Sequence, residues 1–211
     1  IEKGEWFPNS LLKAFELQKA WLPARYIEEM DALADELQIP REYIYAANIF
    51  PEFFHCSVMA FKGKATEEGQ LLHGRILDYM TEIGLQRAAV TVVFMPTDRN
   101  AWVNVGYAGC VGTVTCMNEK GLAFGMMGGR GEGYLEGIPM TFLMREVAER
   151  FETTADAVEW IKSVPRSCEY FYVLSDAKTH GAVAIASWAS ALAKEKGLEQ
   201  DILVLQPGEK I

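Results

Sequence analysis

The spacing of apolar residues changes once along this chain, near Cys56, and that change limits what the chain can fold into. Before it the period is helical. Residues 8 to 23 open with Pro8-Asn9-Ser10, place Leu11, Leu12, Phe15 and Leu22 at helical spacing, and close at Pro23. Residues 25 to 38 set Ile27, Met30, Ala34 and Leu37 on one face, with Glu28, Glu29, Asp31 and Asp35 elsewhere. A third helix is expected from Pro40, a residue suited to a first helical position, to about Ile49. From Cys56 the period is two, and strands are expected over 56–62, 70–77, 88–95, 101–107, 111–117 and 121–127. The turns between them carry Pro96-Thr97-Asp98-Arg99-Asn100, Gly109 and Asn118-Glu119-Lys120-Gly121, and Gly121 supplies a left-handed position.

Helices return over 139–151 and 154–164, the second with a capping-box-like start at Thr153-Thr154-Ala155-Asp156. Strands follow at 169–175, 181–187 and 201–206, while 189–197 fits neither period. Strands in runs, with a separate helix pair, predict an α+β fold of sheets stacked between helix layers. Strands such as 122–127 are apolar on both faces and need cover on each side.

Composition narrows the function. With 211 residues and half of them hydrophobic, the chain can bury a sizeable core. A net charge of -9 argues against a nucleic-acid partner, because no basic stripe exists to neutralise phosphates. No apolar run is long enough to span a bilayer, so an integral membrane protein is not expected. Four cysteines without a C-x-x-C pair, and three scattered histidines, predict neither a disulfide scaffold nor a metal site, and no cofactor is expected. Cys110, Cys116 and Cys168 read as core thiols. The glycine cluster Gly125, Gly128, Gly129, Gly131 and Gly133 lacks the ending of a phosphate loop and reads as a loop bordering a cleft.

The stretch from Phe54 to Tyr79 carries the chemistry. Cys56 begins an apolar strand, a polar turn follows at Glu67-Glu68-Gly69, and the returning strand carries Arg75 and Asp78. A hairpin there brings a nucleophile, a fixed cation and a carboxylate together. Residues three apart on a regular strand face opposite ways, so Arg75 and Asp78 can share a site only if the strand bends, bulges or ends between them.

Asn48-Ile49-Phe50-Pro51-Glu52, Cys56-Ser57, His73-Gly74-Arg75-Ile76-Leu77-Asp78-Tyr79 and Met117-Asn118-Glu119-Lys120-Gly121-Leu122-Ala123 occur in that order. Together they resemble the penicillin acyltransferase and acid-ceramidase-like branch of the N-terminal-nucleophile (Ntn) hydrolases, to which the choloylglycine hydrolases are related. The resemblance implies a four-layer αββα sandwich preceded by a helical pro-segment. It also implies self-cleavage between His55 and Cys56. Residues 1–55 would then be a pro-segment and 56–211 the catalytic region, incomplete at its C-terminal end, with a heterodimer of the two fragments as one outcome. The implied substrate is a small molecule with a linear, non-peptide amide bond or an acyl group.

The implied chemistry follows from the groups. A thiol is mostly protonated at neutral pH, and an α-amino group on the same residue can take its proton once the chain is cut. Arg75 would favour the thiolate, and Asp78 would orient the amine. Choloylglycine hydrolases place an asparagine about where Gly128 stands, so the backbone N–H groups of Gly128 and Gly129 are the oxyanion-hole candidates here. Three readings stay open at this point. They are an amide hydrolase or acyltransferase using Cys56, a non-catalytic binding or structural domain of the same fold, and a conventional hydrolase pairing Cys56 with His180.

Overall fold

The computed structural model describes residues 6–53, 56–79, 81–128 and 134–209. Three helices come first: α1 (Trp6–Gln18), α2 (Ala24–Leu37) and α3 (Arg41–Ile49). The hairpin β1 (Ser57–Gly63) and β2 (Gly69–Ile76) follows, then β3 (Ala89–Phe94), β4 (Trp102–Tyr107), β5 (Thr115–Asn118) and β6 (Leu122–Gly128). The helices α4 (Met140–Arg150) and α5 (Thr154–Ser163) precede β7 (Tyr170–Asp176) and β8 (Gly181–Ser187). The segment whose sequence fits neither period is α6 (Ser190–Lys196), ended by Gly197 in a left-handed conformation, and β9 (Ile202–Leu205) completes the order.

Strands β3 to β9 form one seven-stranded antiparallel sheet in sequence order, and β1 and β2 form a separate two-stranded sheet. The larger sheet is a meander in which cross-strand partners share a face: Asn104 lies opposite Cys116, Cys116 opposite Phe124, and Phe124 opposite Leu174. That face carries the main core with Trp102, Leu122, Met126, Tyr170 and Tyr172, closed by Leu143, Met144, Val147, Val158 and Ile161 from α4 and α5. The hairpin covers the opposite face over β6 and β7. Helices, large sheet and small sheet therefore stack in the α–β–β order of an αββα sandwich, and the fold is α+β. Among the described residues no helix is long and apolar enough to cross a membrane.

α4 lies between the sheet and the N-terminal helices, and every residue from Met140 to Glu149 is buried. Its charged residues are therefore paired. Arg145 donates through Nε to Glu149 (2.8 Å), while its Nη1 reaches Glu29 of α2 (2.8 Å) and the Val111 carbonyl (2.8 Å). Arg25 of α2 pairs with Glu149 at 2.7 Å and also with Glu146. Removing one member of a buried ion pair leaves the other desolvated, at a cost of about 3–5 kcal/mol. Arg25 still compensates Glu149, so Arg145→Met is expected to cost about 3 kcal/mol, the low end of that range, measured by urea unfolding.

Two buried side chains clasp the end of the helical segment to the rest. Asn48 Oδ1 accepts from the backbone N–H groups of Val111 (2.7 Å) and Gly112 (3.0 Å), and its Nδ2 donates to the Gly109 carbonyl (2.9 Å). Glu52 accepts from Met140 N (2.7 Å), Ser167 Oγ (2.7 Å) and Gln18 Nε2 (3.1 Å). The Asn48 contacts also correct the expected strand over 111–117, because β5 starts only at Thr115. The N–H groups of Val111 and Gly112 are taken by Asn48, and that of Thr113 by the Thr141 carbonyl (3.0 Å), so none enters a strand ladder.

Candidate active site

The hairpin is pressed against the large sheet where β6 carries Gly125. A Cβ there would lie 2.7 Å from Val58 Cγ2, 3.0 Å from Arg75 Cγ and 3.2 Å from His73 Nε2. Glycine is what lets the two sheets approach this closely. In the hairpin register Val58 lies opposite Arg75 and Ala60 opposite His73. Arg75 and His73, two positions apart on β2, thus face the large sheet together.

Cys56 immediately precedes β1 and is 4% exposed. Its Sγ accepts a hydrogen bond from Arg75 Nη2 at 2.8 Å. Burial pushes the thiol above its ordinary range, opposed by the Arg75 charge and by a backbone hydrogen bond from Asp78. In the continuous chain the thiol is held protonated beside a ready cation. Burial also lowers the Arg75 pKa, although a guanidinium keeps its proton at any physiological pH. Of that guanidinium, Nε and Nη1 are buried with no hydrogen-bond partner among the described residues. Such unmet donors cost about 1–3 kcal/mol each.

The strand ends between the two expected partners. β2 stops at Ile76, so Arg75 is fixed on the strand while Asp78 lies beyond it and turns back toward Cys56. Ser57 Oγ donates to Asp78 Oδ2 at 2.9 Å and ties that carboxylate to the residue following the thiol. The sequence signalled Ser57 only by its adjacency to Cys56. Of the remaining expected site residues, Gly128 closes β6 opposite Tyr170, whereas His55 and Gly129 lie outside the described residues, as do Gly131 and Gly133.

His73 Nδ1 sits 2.7 Å from Ser175 Oγ on β7, and burial brings its pKa down to about 4, so the ring is neutral. No local signal pointed to Ser175, which is 102 residues away in sequence. Beside this pair opens a cleft of about 1000 Å³ whose walls include His73, Arg75, Val103, Val105, Met117 and Ala123. It is an apolar trough with Arg75 in its wall. His180 lines the same cleft from the β7–β8 turn, but among the described residues the side chain that hydrogen-bonds the Cys56 thiol is that of Arg75. Among the described residues no group of three or more His, Cys, Asp or Glu side chains is placed to hold a metal ion. All four cysteines are free and buried.

Two curated relatives come from Dictyostelium discoideum. Protein dcd1A is 28% identical over 185 residues, covering 81% of this chain and 42% of its own, and protein dcd1B is 24% identical over 155 residues, covering 71% and 31%. The chain thus spans less than half the length of either. Among solved structures, the N-acylethanolamine-hydrolyzing acid amidase ortholog of Caenorhabditis elegans superposes with a TM-score of 0.48 at 17% identity, over 72% of this chain and 69% of that one. A mutant of the conjugated bile acid hydrolase from Clostridium perfringens gives a TM-score of 0.48 at 15% identity, over 72% and 51%. The family model for acyl-coenzyme A:6-aminopenicillanic acid acyl-transferase matches residues 65–196, more than half of the chain and including Arg75 and Asp78. On that match, the chain belongs to the acyl-coenzyme A:6-aminopenicillanic acid acyl-transferase family.

Proposed function

We propose that the chain cuts itself between His55 and Cys56 and then works as an N-terminal-cysteine hydrolase or acyltransferase on linear, non-peptide amide bonds of small molecules. The observation that carries this reading is the 2.8 Å hydrogen bond from Arg75 to the Cys56 sulfur, with the Asp78 carboxylate held beside it by Ser57. Once Cys56 is a chain end, its α-amine takes the thiol proton and the thiolate attacks the amide carbon. The carbonyl π pair moves to oxygen. Collapse breaks the C–N bond, and the leaving amine takes the proton from the Cys56 ammonium. The resulting thioester is released by water in a hydrolase, or by an acceptor nucleophile in an acyltransferase. Asp78 holds the ammonium in place, and residues 1–55 remain clasped to 56–211 through Asn48 and Glu52.

Intact-mass measurement of the purified protein tests the first step. Two fragments joined only by non-covalent contacts are expected, and a folded sample that stays in one piece sinks the proposal. The pH profile of Cys56 alkylation tests the second. In the uncut chain the raised thiol pKa keeps alkylation slow until alkaline pH, because thiolate appears only as pH rises. Cutting supplies an amine base, so the profile is expected to move to lower pH.

A second reading, a binding or structural domain that kept the fold without turnover, rests on Gly128, which offers no side-chain donor for an oxyanion. It predicts that Cys56 stays unacylated by activated esters.

A further inference from the structure

Two hydrogen-bond donors beside the nucleophile have no partner among the described residues. Arg75 uses Nη2 on the Cys56 sulfur, while Nε and Nη1 are buried and unpartnered, and the residue forms part of the cleft wall. A guanidinium presents its N–H groups as a rigid planar fork, in which Nη2 has a parallel neighbour on each side. Such a pair accepts two atoms bonded to one carbon, as it does the two oxygens of a carboxylate. Sulfur and oxygen on the carbon of a tetrahedral thioester intermediate have the same one-carbon relationship. With the sulfur already on Nη2, the adjacent N–H points to where the oxygen of that carbon would sit.

We propose that Arg75 is itself an oxyanion donor, grasping the Cys56 sulfur with one arm of its fork and the developing oxyanion of the substrate with the next. This rests on the reading of Cys56 as nucleophile. It assigns the stabilisation of negative charge to the strand that flanks the nucleophile, in a chain where position 128 brings no side chain. As the thiolate attacks, the carbonyl π pair becomes the oxyanion, and the negative charge moves from sulfur to oxygen across one fixed cation. The guanidinium therefore need not move during the step.

Two reactions of the same thiol separate this role from simple thiolate stabilisation. Iodoacetamide alkylation expels iodide without forming an oxyanion, whereas acylation by a p-nitrophenyl ester passes through one and releases p-nitrophenolate. Peptide mass assigns each adduct to Cys56. Arg75→Lys keeps the charge and loses the fork, so alkylation is expected to stay within about threefold while acylation falls by about 10²–10³-fold. Should that variant not fold, Arg75→Gln carries the comparison. It loses alkylation through the missing charge, and its acylation is expected to fall by about a further tenfold. Equal losses in both reactions overturn the fork. A wild-type chain that is alkylated but never acylated overturns the nucleophile reading itself.

Discussion

Cys56→Ala is expected to leave the protein as one uncut 23.6 kDa species with no measurable turnover. The substitution removes the attacking atom from both proposed reactions, so self-cleavage and substrate turnover disappear together. The loss should be at least about 10⁴-fold, as when the nucleophile of a cooperating catalytic set is deleted. Folding should survive, because the thiol contributes little volume and losing the hydrogen bond it accepts from Arg75 costs only about 1–3 kcal/mol. Intact mass and amide turnover, measured on one preparation whose circular dichroism matches wild type, check the result. An uncut variant that retains turnover would place the nucleophile elsewhere, and a variant still cut at the same bond would show that cleavage does not use this thiol.

Gly125→Ala is expected to separate the site without touching a reacting group. Its methyl would sit 2.7 Å from Val58 and 3.0 Å from Arg75, inside the contact between the hairpin and β6. Neither side can yield freely, since Val58 and Arg75 lie opposite each other in the hairpin and Gly125 is paired with Val173 of β7. Overpacking of this kind costs about 1–3 kcal/mol. The larger effect is on rate, because displacing a positioned group by about 1 Å is enough to lose about 10²-fold. A fall in kcat with a modest drop in melting temperature is the expected pair of results. Unchanged kcat would show that contact between the two sheets does not set the position of Arg75.

The elements were legible in the sequence wherever one periodicity ran long enough. The three N-terminal helices, the hairpin at 57–76 and the helix pair after residue 139 appear within a few residues of the expected bounds. Segment 111–114 misled because it is buried and runs directly into β5, but Asn48 of α3 takes the backbone donors of Val111 and Gly112 before a strand partner does. Periodicity reports which face a residue prefers and is silent about who takes its N–H group. The same limit applies around Cys56. Arg75 was legible because the thiol stands at the entry to one strand of a hairpin and the cation on the other, where turn position nearly fixes register. Ser175, the partner of His73, comes from β7, and nothing local in either stretch announces the pairing. Asp78 falls between these cases. Its neighbourhood was readable, but only the end of β2 at Ile76 explains how it faces Cys56.

The clasp made by Asn48 and Glu52 bears on how the molecule is assembled as well as on how it is held. Both side chains stand a few residues before the proposed cut, and both bind backbone groups that belong to segments far downstream. In a continuous chain these contacts form within a single molecule, at the effective concentration that a covalent connection provides. After a cut they join two polypeptides, and the same contacts must be found by diffusion. Self-cleavage would therefore work as a ratchet: the uncut chain carries the information for folding, and the cut pair keeps a structure it is poorly placed to regain once lost. A protein cut in this way would persist through the slowness of its unfolding, and the clasp would act as a kinetic lock.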